Sequence, residues 1–204
     1  MLKRCAVTLL LLALFASSLG ASAESSDSGL ADFQPGDLIL RRQTGLWSHI
    51  ATALSTNGSR ARFSHAGLIV AGAPDVTIIH AIGDPLTRGE VETISWADFA
   101  QDSTDLGVYR YRLSKPMRLG IVARAQAYIG TPFDGDFLIE NDRKVYCTEL
   151  VWLAYKAATG IDLIEDKPVQ MGQKYIPVDA LYDRVIATEI CSGTACLPGV
   201  RHAR

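Results

Sequence analysis

The chain has 204 residues, 48% of them hydrophobic and 8% aromatic, and its 20 Lys and Arg against 22 Asp and Glu leave a formal charge of −2. A near-neutral balance without a basic stripe excludes nucleic acid as a partner. The length suits one domain with a core of its own.

In chain order, Lys3 and Arg4 precede an apolar run from Ala6 to Leu19, which is followed by Ala21-Ser22-Ala23. This reads as a secretory signal peptide cleaved after Ala23, since the run is too short for a spanning helix. Cys5 stands near the start of the run, whereas a lipid-attachment cysteine would end it. The expected product is a secreted or periplasmic protein with no transmembrane segment. Losing Lys3 and Arg4 takes its formal charge from −2 to −4. Residues 24–32 are polar and read as a disordered lead-in; residues 33–204 read as one domain with a C-terminal tail.

Within that domain, "PGDLILRRQ" (35–43) predicts a first strand after a turn, and Trp47 to Leu54 a short helix. "FSHAGLIVAG" and "DVTIIHAIG", separated by "APD", predict a hairpin. "VETISWADFA" reads as a strand entering a helical turn, and 106–113 alternates like a strand with one buried face. Ile121, Val122, Ala125 and Ile129 keep helical spacing between Met117 and Ile129, with Gly130 and Pro132 as the stop. A last helix runs from Cys147 to Thr159, with Leu150, Val151, Ala154, Ala157 and Ala158 on one face and Gly160 as its left-handed cap. The expected fold class is α+β, an antiparallel sheet packed against helices.

The chain after Ala23 has three cysteines, Cys147, Cys191 and Cys196. "CSGTAC" is flexible enough to close a small disulfide loop in an oxidising compartment, which leaves Cys147 without a partner. Cys147 is then either a small core residue or a thiol kept for its reactivity. At a helix start, the unpaired amides favour thiolate. A nucleophile needs a base, and the histidines are His49, His65, His80 and His202. His202 lies in a basic tail, and capping or surface exposure accounts for His49. His65 opens one hairpin strand and His80 closes the other, so the two imidazoles are expected near the same sheet edge, as a satisfied core pair or as a base held in its tautomer by a partner. Glu149 in the first helical turn complements the dipole, and Trp47, Trp96 and Trp152 read as core or groove wall. Two histidines and a cysteine could also hold zinc, yet no HExxH or paired CxxC spacing is present, so neither metal nor cofactor is expected.

"GDLIL", "FSHAGLIV", "IIHA", "AYIGTPFDGDF" and "YCTELVWLAY" together resemble the circularly permuted NlpC/P60 cysteine peptidases, in the YiiX/YebB-like branch of the papain-like superfamily, across about Pro35 to Asp183. The resemblance implies Cys147 as nucleophile, His65 as general base and His80 as the group orienting it, where YiiX-like members often carry glutamate. Relatives commonly have tyrosine where this chain has Phe133, in Gly130-Thr131-Pro132-Phe133-Asp134. Loss of that hydroxyl removes a candidate oxyanion donor, a change costing on the order of 10²-fold in rate. Tyr146, Asp134 or backbone amides are then expected to support the oxyanion or the substrate, with Phe133 lining the pocket.

The implied activity is a cysteine peptidase or amidase, a monomer acting through a thioester on cell-wall (peptidoglycan) peptides. Alternatives are a lipid or N-acyl amide or ester hydrolase or acyltransferase of the same fold, and a binding module that has lost turnover. A disulfide-stapled structural protein would instead oxidise Cys147 with Cys191 or Cys196.

Overall fold

The computed structural model describes residues 32–53, 55–57, 60–83, 89–139, 143–170 and 172–196. The proposed signal peptide, all of the lead-in except Asp32, and His202 lie outside them. The elements are β1 (Leu38–Arg42), α1 (Leu46–Ala53), β2 (His65–Ala71), β3 (Thr77–Ala81), β4 (Val91–Ser95), α2 (Trp96–Ala100), β5 (Asp105–Tyr111), α3 (Lys115–Gln126), α4 (Cys147–Thr159), β6 (Val169–Gln170), β7 (Gln173–Lys174) and β8 (Ala187–Ser192). Two 3₁₀ turns cover Val178–Tyr182 and Gly193–Cys196.

Six strands form one antiparallel sheet in the order β4-β3-β2-β1-β5-β8. Both faces of its centre are covered, which is why β1 reads as a continuous apolar run, Leu38-Ile39-Leu40, with no exposed surface. Leu38, Leu40, Leu68 and Ile79 face α3 and α4, against Ile121, Ala125, Leu150 and Val151. Ile39, Ile69, Ile78 and Val108 face Phe33, Trp96, Phe99 and the Cys191–Cys196 disulfide. Arg110 ties β5 to the turn before β1 by a two-pronged pair with the buried Asp37, both contacts at 2.8 Å.

Strands β1 to β4, the hairpin and Gly160 in its left-handed cap (φ 74°) follow the sequence reading. Four expectations are corrected. Strand β5 has no exposed face over Leu106 to Tyr109, because the sheet is sandwiched there. Helix α3 ends at Gln126, and Ile129 lies beyond it, exposed. In α4, Trp152 and Tyr155 are buried while Ala157 is exposed. Strand β8 and the β6–β7 hairpin had no counterpart in the sequence reading. Cys147 is a free, buried thiol, so the reading that oxidises it with Cys191 or Cys196 is excluded.

Candidate active site

Helix α4 begins at Cys147, and Tyr146 before it has an extended backbone. The buried Glu149 carboxylate accepts the Tyr146 amide at 3.4 Å, so this acid closes the first turn of the helix. One backbone unit holds both neighbours of the cysteine. The Ile176 amide donates to the Tyr146 hydroxyl at 2.8 Å, and the Thr148 hydroxyl donates to the Ile176 carbonyl at 2.6 Å. Cys147 is 5% exposed and opens onto a cavity of about 270 Å³.

His65 lines the same cavity from the start of β2, opposite Arg41 of β1. Its Nε2 meets Nδ1 of the fully buried His80 on β3 at 2.8 Å, which leaves Nδ1 of His65 as its remaining ring nitrogen. The rings meet edge to face at 81°, and the Phe99 ring of α2 lies 5.7 Å from each. The structure therefore brings Cys147, His65 and His80 into one neighbourhood. His49 is exposed on α1 and is not part of the cavity wall.

The wall has two characters. Gln43, Thr44, Ser48 and Ser64 supply hydrogen-bonding groups, whereas Ala81, Ile82, Phe133 and Phe137 form an apolar side. The hydroxyls of Ser48 and Ser64 meet at 2.8 Å, and the Gln43 amide donates to Ser64 Oγ at 3.3 Å. A smaller recess of about 10 Å³ continues past Cys147 between Phe137, Tyr146, Ile176 and Val178. Phe133 stands at the cavity wall. Asp134 turns away from that role: it is fully buried, and its carboxylate accepts the amides of Asp136 at 3.1 Å and Leu138 at 2.9 Å, organising its own loop.

One side chain that the sequence reading passed over is Arg41. It is 3% exposed, donates Nη1 to the Phe99 carbonyl at 2.8 Å and lies 4.5 Å over the Phe99 ring. Burial lowers its pKa to about 10, with the Cys147 sulfur acting in the opposite direction. Burial, with Arg41 and His80 beside it, holds His65 well below the ordinary imidazole value; burial and Arg41 bring His80 down to about 3. Burial also pushes the Cys147 thiol above its ordinary value, against the pull of the Ala66, Thr148 and Cys147 amides and of Arg41.

This corrects the expectation that the helix start supplies a ready thiolate. The amides act in the expected direction, but desolvation outweighs them. The resting pair is a neutral thiol and a neutral imidazole. Such a pair can act chemically if the imidazole removes the thiol proton as the sulfur attacks an electrophilic carbon.

Among the described residues, no cluster of three or more His, Cys, Asp or Glu could hold a metal ion. Among the same residues, no helix is long and apolar enough to cross a membrane.

Residues 32–177 match the family model described as permuted papain-like amidase enzymes, YaeF/YiiX, C92 family. Among solved structures, the metalloprotein YiiX of Escherichia coli O157:H7 is similar at a TM-score of 0.64 and 21% identity, covering 78% of this chain and 96% of that one. Curated protein sequences give no significant match.

Proposed function

Since the chain belongs to the permuted papain-like amidase family YaeF/YiiX, a family of cysteine hydrolases, we propose that Cys147, His65 and His80 are its catalytic residues and that the bond cleaved is an amide. The observation that carries this reading is the shared cavity: the thiol at the start of α4 and the imidazole at the start of β2 open onto it together, with His80 2.8 Å behind His65.

In the proposed reaction, His65 takes the Cys147 proton at Nδ1 while the sulfur attacks the carbonyl carbon. The C–N bond then breaks, and His65 returns the proton to the departing amine, leaving a thioester. Water attacks the thioester, giving its proton to His65; the C–S bond breaks, the acid leaves and the thiol is restored. The amides of Ala66, Thr148 and Cys147 pull the thiol pKa down, and those of Cys147 and Thr148, at the start of α4, are the candidate donors to the oxyanion in place of the missing tyrosine hydroxyl. Tyr146 keeps its O–H proton while accepting the Ile176 amide, but it lines the small recess beyond Cys147 and not the main cavity. The solved relative is called a metalloprotein, but the described residues of this chain do not gather a ligand set, and no step is assigned to a metal.

For the substrate, we propose cell-wall peptides met after export. The hydrogen-bonding side of the cavity, with Gln43, Thr44, Ser48 and Ser64, suits a peptide backbone. The aromatic side, with Phe133 and Phe137, favours the second reading, an N-acyl amide whose aliphatic part lies against the rings. Wild type, Cys147→Ser and His65→Ala are to be incubated with peptidoglycan stem peptides and with an N-acyl amide panel, and the products read by mass spectrometry. Turnover of stem peptides by wild type alone supports the proposal. Turnover of acyl amides alone selects the second reading. Equal turnover by all three proteins refutes both.

A further inference from the structure

Nε2 of His80 is buried and has no hydrogen-bond partner among the described residues. The group facing it is the Glu92 carboxylate, with Oε1 3.5 Å away. Register accounts for the approach: His80 on β3 and Glu92 on β4 are directly paired, and directly opposed residues on neighbouring strands present their side chains on one face. Arg41 of β1 acts on both rings from the other side, the Phe99 ring of α2 touches both, and Cys147 of α4 shares the cavity with His65.

The direction of the proton chain matters. For His65 to accept a proton at Nδ1, its hydrogen must sit on Nε2 and point at Nδ1 of His80. His80 must then accept at Nδ1 and carry its hydrogen on Nε2, the atom that faces Glu92. The opposite arrangement puts hydrogen on Nδ1 of both rings. It disables His65 as a base and turns the His80 Nε2 lone pair toward a carboxylate oxygen. An ionised carboxylate can only accept, so it favours the first arrangement.

We infer that Glu92 is a positioning residue which, through His80, selects the tautomer of His65 that can take the thiol proton. The inference rests on the Cys147–His65 reading above. Glu92 does not line the cavity, and its 46% exposed side chain on an edge strand can be replaced without opening the core.

The test uses the full chain labelled with ¹⁵N-histidine, as wild type, Glu92→Gln and Glu92→Val, with Cys147→Ala as control. Two-bond ¹H–¹⁵N couplings report the tautomers, and kcat and KM are measured on whichever amide substrate the wild type cleaves. In wild type, His80 is expected with its hydrogen on Nε2. In Glu92→Val the Nδ1–H form of His80 should rise several-fold, and kcat should fall about tenfold with KM unchanged. Glu92→Gln, whose amide oxygen can still accept, should lie between. Unchanged His80 tautomers in both variants, or a changed tautomer with an unchanged kcat, overturns the inference. If Cys147→Ala is inactive and both Glu92 variants match wild type, only this inference fails. If Cys147→Ala retains full turnover, the catalytic reading fails and the role of Glu92 falls with it.

Discussion

Lowering the pH from 7.5 to 4.5 is expected to remove about 3 kcal/mol of folding stability through His80 alone. The imidazole has no exposed surface, and burial beside Arg41 lowers its pKa from 6.5 to about 3. The unfolded chain takes up this proton near pH 6.5, whereas the folded chain resists it until about pH 3. Between those values the unfolded state binds more protons, so stability falls as pH falls. Each pH unit inside the window costs about 1.4 kcal/mol, and the two units from 6.5 to 4.5 supply nearly all of the loss. His65 is shifted in the same direction and adds to it. The contribution of His80 is therefore isolated by comparison with His80→Gln, which keeps a polar side chain but does not titrate. Urea denaturation at pH 7.5 and 4.5 gives the stability of each protein. Wild type should lose about 3 kcal/mol more than the variant over this interval. Equal losses would refute the argument that His80 is held neutral by desolvation and Arg41.

The neutral resting pair predicts that alkylation of Cys147 by iodoacetamide rises with pH through a midpoint above the ordinary thiol value; a midpoint below pH 7 would restore the thiolate expectation. A Cβ at Gly83 would lie 2.2 Å from the Phe133 ring, so Gly83→Ala should displace that wall and lower kcat/KM about tenfold, with recovery in Gly83→Ala/Phe133→Leu as the check. Replacing Cys191 and Cys196 by serine should cost about 2 kcal/mol in a urea titration while leaving kcat unchanged. The disulfide packs on the sheet face shared with Phe33 and Trp96, and the last strand, β8, is separated from β2 by β1 and β5.

What could be read from sequence follows the strength of each local signal. Strands β2 and β3 are apolar, β-branched runs, and α4 has an apolar face and a glycine stop; these survive without tertiary context. Strand β8, Ala187 to Ser192, is a half-exposed edge in which the successive residues Thr188 and Glu189 are both exposed, so it lacks the periodicity that marks a strand. Alanine is neutral to burial, so spacing alone does not tell that Ala157 is exposed, and the burial of Tyr155 depends on a distant partner, the Tyr111 ring 4.8 Å away. At the candidate site, the juxtaposition of Cys147, His65 and His80 can be read from motifs that flank apolar elements. Arg41 cannot be read in this way, since a charged residue at a strand end reads as solvated until the Phe99 ring and carbonyl are seen beneath it. The thiolate expectation failed for a similar reason. Helix position is local information, whereas the desolvation that outweighs it comes from segments distant in sequence. Asp134 shows the reverse case, a motif residue close to the site whose contacts are spent on its own loop.

The bonds from Ile176 to Tyr146 and Thr148 have a consequence for mutational tolerance. On the Ile176 side both use main-chain atoms, so exchanging that side chain for another hydrophobic one leaves the clamp on either side of Cys147 intact. Proline would remove the amide and break one of the two bonds. Selection at this point can therefore act on the path of the backbone while the residue itself drifts. The placement of the thiol would be inherited through geometry, with no signature letter at position 176 to announce it.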